Sequence, residues 1–168
     1  MSQVTFKGES VNVSGNFVQA GSQAPEFTLT SSTLADIKSS ELRGKKVVLN
    51  IFPSIDTPVC AASVRKFNQE ASNLENTTVL CISADLPFAA GRFCEAEGLE
   101  NVQTASFFRA PSFTEDYGVN LNQGALQGLA ARAVVVVNEE GLVTYGELVG
   151  EITSEPNYEA ALEAVKNA

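Results

Sequence analysis

The chain has 168 residues, 44% of them apolar and 18% charged. That suits one domain with a sizeable core and is too apolar for a disordered chain. Histidine is absent and cysteine occurs three times, which excludes Ser-His-Asp and Cys-His catalytic sites, histidine metal centres and four-cysteine zinc sites. Acids outnumber bases 20 to 11, for a net charge of -9. Neither nucleic acid nor an anionic membrane is an expected partner of such a chain.

The N-terminus, Met1-Ser2-Gln3-Val4-Thr5-Phe6-Lys7, has no apolar run or cleavage site of a signal peptide. Val4, Phe6, Val11 and Val13 alternate with polar residues around Gly8-Glu9-Ser10 and predict a hairpin. Gly21 to Pro25 reads as a turn, Glu26 to Thr30 as a short strand, and Glu41 to Lys45 as a helical turn closed by Gly44. Val47 to Phe52 is apolar except for Asn50, as in a strand buried on both faces. Thr57-Pro58 then predicts a helix start, with Thr57 as N-cap, and Cys60, Val64, Phe67 and Ala71 follow at helical spacing.

Thr78 to Ser83 reads as a second buried strand. Asp85-Leu86-Pro87 opens a second helix ending at Gly98, and Asn101 to Ala105 reads as a short strand. Ala133 to Val137 and Leu142 to Val149 form a hairpin across Asn138-Glu139-Glu140-Gly141. A last helix carries Tyr158, Ala161, Leu162 and Val165. The longest apolar stretch, Ala130 to Val137, is broken by Arg132 and is strand-sized rather than membrane-sized. No repeat or linker interrupts the chain, so residues 1–168 are expected to form a single domain. Strand-helix-strand-helix, then hairpin and helix, predicts a thioredoxin-like α/β fold. It has a mixed central sheet, helices on both faces and an N-terminal β-hairpin extension.

Cys60 falls in the first turn of a helix that follows a buried strand. The helix dipole and free N–H groups there favour a thiolate. A free thiol titrates near about 8.5, so about 3% is ionised at pH 7. Lowering that to about 6 requires roughly 3.4 kcal/mol, and a helix terminus supplies only about 0.3–2 kcal/mol. A cation must therefore help, and without histidine it is arginine or lysine. Arg132, at the entrance to an apolar strand, stands out among the arginines, because a guanidinium buried there needs a partner. Cys81 lies inside a buried strand and reads as core. Cys94, with Glu95 and Glu97 nearby, reads as a weakly ionised thiol. No C-x-x-C pair is present, against a thioredoxin-type dithiol exchanger.

Pro53-Ser54-Ile55-Asp56-Thr57-Pro58-Val59-Cys60 fits the P-x-x-x-T-x-x-C signature of peroxiredoxins. With Leu80 to Ala89, Arg92-Phe93-Cys94 and Gly128 to Val136, the chain resembles the bacterial thiol peroxidase subfamily over nearly its whole length. The resemblance implies a peroxidatic cysteine at Cys60 and a resolving cysteine at Cys94, joined in an intramolecular disulfide after attack on hydrogen peroxide or an alkyl hydroperoxide. It also implies that Thr57 and Arg132 hold the thiolate and polarise the peroxide, that Pro53 shields the sulfur, and that thioredoxin is the reductant. Metal and organic cofactors are not expected. The resemblance further implies a homodimer of the cytosol or periplasm, and the N-terminus favours the cytosol. The competing reading is a non-catalytic redox sensor using the same cysteine pair.

Overall fold

The computed structural model describes residues 2–168. The hairpin forms as β1 (Ser2–Phe6) and β2 (Glu9–Ser14), joined at Lys7 and Gly8, both with positive φ (51° and 86°). That left-handed pair matches the twist of the flanking strands. The short strand starts later than the pattern suggests, as β3 (Thr28–Ser31), and pairs with an unforeseen β4 (Asp36–Lys38). The helical turn is a 3₁₀ turn at Ser39–Leu42, slightly upstream of its predicted place.

β5 (Lys46–Ile51) leads to α1 (Pro58–Ala71), which returns the chain to β6 (Thr77–Ser83). β5 and β6 are parallel, with Val47 opposite Thr78. α2 (Pro87–Glu97) closes on Gly98, whose φ of 68° lets its N–H turn back onto the Cys94 and Glu95 carbonyls. β7 (Gln103–Ser106) lies parallel to β6. Two further elements, besides β4, were not legible in the sequence: α3 (Ser112–Tyr117) and β8 (Asn120–Leu121). Both are too short to express a period. β9 (Ala133–Val137), β10 (Val143–Leu148) and α4 (Tyr158–Asn167) complete the chain.

The central sheet has the order β10-β9-β5-β6-β7-β3-β4, and β1-β2-β8 form a second, small sheet. Alternation along β5 separates two cores. Val47, Leu49 and Ile51 face the cluster built with α3 and the small sheet. Val48 and Phe52 face the cluster built with α1, α4 and Ala90 of α2. The sheet is thus mixed with helices on both faces. Asn50 shares the second face, a polar side chain with 0% exposure beneath α1.

Candidate active site

The end of β5 and the start of α1 are joined by a tight turn. The Thr57 N–H and its hydroxyl both donate to the Ser54 carbonyl, at 3.1 and 2.9 Å. Thr57 occupies the N-cap position, but its side chain makes no cap bond. This corrects the expected capping role: the hydroxyl donates back to the Ser54 carbonyl, and its oxygen accepts from no first-turn N–H. The first-turn N–H groups beside Cys60 therefore remain available. Pro53, just ahead of this turn, is buried.

Asp85 fastens the same turn from β6. Its carboxylate accepts from the Ser54 hydroxyl (2.8 Å), the Ile55 N–H (2.7 Å) and the Ser83 hydroxyl (2.6 Å). α2 opens at Leu86-Pro87, as the sequence predicts, with Leu86 as N-cap and again without a side-chain bond.

Cys60 has 0% exposure. Its sulfur accepts from Arg132 Nη2 at 3.2 Å. Arg132 is itself only 2% exposed. Its Nε donates to the Ile152 carbonyl at 2.9 Å, and its Nη1 has no hydrogen-bond partner among the described residues. The guanidinium is thus a buried, charged donor held against the sulfur. Behind the site, Asn50 Nδ2 donates to Ser63 Oγ at 3.1 Å, and Ser63 Oγ donates to the Cys60 carbonyl at 2.7 Å. This buried chain ties the first turn of α1 to β5, and sequence reasoning had not assigned it a role.

Cys81 is buried on β6, as expected, and burial pushes its thiol up to about 12. Cys94 is partly buried on α2 and its thiol is also raised. The cause is burial rather than Glu95 and Glu97; Glu97 pairs instead with Arg65. Cys94 lines a groove with Gly91, Thr33 and Ile37, between α2 and the β3–β4 edge. Arg132 stands at the foot of β9, and β5 and β6 lie between β9 and β7. At about 4.8 Å per strand, β9 and β7 are about 14 Å apart. All three thiols are free.

Residues 19–162 match the redoxin family. A thiol peroxidase of Mycobacterium bovis is 56% identical over 165 residues, covering 98% of this chain and 99% of that protein. A thiol peroxidase of Corynebacterium glutamicum is 54% identical over the same length and coverage. A crystal structure of a peroxiredoxin-like protein from Aquifex aeolicus superposes with a TM-score of 0.94 at 40% identity, covering 99% of this chain and 97% of that one. The chain belongs to the redoxin family, among the bacterial thiol peroxidases. Its activity is that of a peroxidase of the peroxiredoxin type, an antioxidant oxidoreductase.

Proposed function

We propose that the protein reduces hydrogen peroxide and alkyl hydroperoxides through Cys60, resolves the product with Cys94, and is regenerated by thioredoxin. The observation that carries this is the Arg132 guanidinium, with Nη2 on the Cys60 sulfur and Nη1 buried without a partner. A buried unpaired donor beside a nucleophile is suited to an incoming oxygen. The Cys60 thiolate attacks the nearer peroxide oxygen and the O–O bond breaks. Cys60 becomes a sulfenic acid, and the departing alkoxide takes a proton to leave as alcohol or water. Arg132 stabilises the developing charge.

Thr57 contributes lone pairs rather than a proton, since its proton is committed to Ser54. It accepts from the peroxide hydroxyl and orients it. Pro53 keeps water from the sulfur. The Cys94 thiol then displaces water from the sulfenic acid to give the Cys60–Cys94 disulfide. A reduced dithiol exchanges with that disulfide, restoring two thiols and leaving oxidised thioredoxin.

We further propose a cytosolic homodimer, with residues 1–168 folding as one unit. Leu86, Phe88 and Phe108 are 53%, 68% and 42% exposed. They follow the last residues of β6 and β7, where Ser83 and Ser106 are register partners, and support a contact surface near the site. A Phe88→Glu protein that sediments as a monomer, against a dimeric parent, would support that surface. Peroxide consumption coupled to thioredoxin, thioredoxin reductase and NADPH tests the catalytic reading. Cys60→Ser should be inactive. Cys94→Ser should consume about one equivalent of peroxide and stop. A parent protein that also stops after one equivalent would be a sensor rather than an enzyme. Among the described residues no helix is long and apolar enough to cross a membrane.

A further inference from the structure

Arg132 is fixed from behind by a backbone carbonyl, and that carbonyl belongs to a segment with unusual bonding. Arg132 Nε donates to the Ile152 carbonyl at 2.9 Å, while the Val149 N–H donates to the Arg132 carbonyl at 2.9 Å. Between them sits Glu151. Its Oε1 accepts from the Thr5 hydroxyl and the Gly8 N–H, both at 2.9 Å. Its Oε2 accepts from the Lys7 N–H at 3.2 Å, the Thr153 N–H at 2.9 Å and the Thr153 hydroxyl at 2.7 Å. The Thr153 N–H foremost, then its hydroxyl and the Gly8 N–H, hold this carboxyl down at about 2. The backbone is laced on both sides of it: Thr5 N–H to the Gly150 carbonyl at 2.7 Å, and Ile152 N–H to the Thr5 carbonyl at 2.8 Å.

We propose that Glu151 is a positioning residue for Arg132: it clamps residues 150–153 onto the hairpin turn, and the Ile152 carbonyl so fixed holds the guanidinium on Cys60. Glu151 touches neither the sulfur nor the peroxide path and acts only through Arg132. A carboxylate that accepts from both segments adds charged ties to the two backbone bonds, and its loss leaves only those two bonds between them. Arg132 has no other partner among the described residues besides Ile152 and Cys60. Slack at Ile152 therefore passes directly to the guanidinium.

The proposal rests on the reading of Cys60 and Arg132 above, so the test has two independent readouts. The first is physical: exchange of the Arg132 Nε proton with solvent, followed by NMR in the reduced protein. Glu151→Ala should speed it by about tenfold or more, the scale of one lost charged hydrogen bond. Glu151→Gln, which keeps one acceptor, should fall between and serves if the alanine protein does not fold. Unchanged exchange in the folded variant overturns the proposal whatever the activity. The second is a cycle of single-turnover rates with hydrogen peroxide for the parent, Glu151→Ala, Arg132→Ala and the double variant. Glu151→Ala should slow the parent severalfold and leave the Arg132→Ala rate unaltered. Equal slowing in both backgrounds overturns the proposal. If Arg132→Ala leaves the peroxide rate unchanged, the role given to Arg132 fails instead, and the proton exchange alone decides whether Glu151 positions it.

Discussion

At the scale of single residues, Asn50 and Ser63 show why a buried polar pair persists under a helix. Asn50 Oδ1 has no partner among the described residues, whereas Nδ2 reaches Ser63, which in turn donates to the Cys60 carbonyl. Ser63→Ala should cost about 1–3 kcal/mol, because it leaves the buried Asn50 amide only a weak sulfur acceptor, Cys81 Sγ at 3.8 Å. Asn50→Leu in the same protein should recover part of that loss, since removing both partners is nearly neutral. Urea unfolding of the four proteins checks this; strictly additive changes would contradict it.

Cys81 offers a pH signature. Its thiol is raised from 9.0 to about 12 by burial. A raised value means its contribution is complete below pH 9 and is lost as pH climbs toward 12. The parent should therefore lose stability relative to Cys81→Ala as unfolding is repeated from pH 8 to pH 11. A constant difference between the two would show that the buried thiol is not the source.

Cys60 and Arg132 were legible in the sequence because both signals are local: a Thr-Pro helix start after an apolar strand, and a lone arginine entering an apolar run. Their contact spans 72 positions, and only the demand that a buried guanidinium be paired hinted at it. Asp85 and Glu151 gave no such hint. Their partners lie 30 and 144 positions away, set by strand register that one sequence does not display. Thr57 misled for the opposite reason: its position at the helix start was right, but its hydroxyl donates back into the preceding turn instead of accepting from a first-turn N–H.

At the scale of elements, α1 and α2 differ in how firmly they are held. α1 buries Cys60, Ala61, Ser63, Val64 and Phe67. α2 buries only Pro87 and Ala90. Gly91 lies at its centre, and a Cβ added there would meet the Ser32 Cβ at 3.3 Å, a tight contact. A helix with few buried anchors opens at low cost. Bringing Cys94 toward Cys60 requires Cα atoms within roughly 7 Å, so α2 is the element expected to yield. Amide exchange over Phe88–Glu97 should be faster in the disulfide form than in the thiol form, with β5 and β6 unchanged. Equal protection of α2 in both forms would place the movement in the first turn of α1 instead. The elements missed from the sequence, α3, β8 and β4, are all six residues or fewer. Their existence is decided by the sheet edge and cores they cover rather than by their own periodicity.

At the scale of the whole molecule, the two ends of the chain are stitched together: Thr5 bridges Glu151 in parallel, and the hairpin buries Val4, Val11 and Val13 in the core shared with α3 and β9. In order of synthesis the hairpin comes first, yet the segment that clamps it emerges near the end. Contacts so distant along the chain are slow to close. The growing polypeptide can form β5–α1–β6 long before the support behind Arg132 exists, so a nascent chain would carry Cys60 without its finished surroundings. Refolding from denaturant should show the same order in time. Far-UV circular dichroism should recover first, and the fast reaction with peroxide should return only in the slowest phase. Simultaneous return of both would mean that the ends meet early.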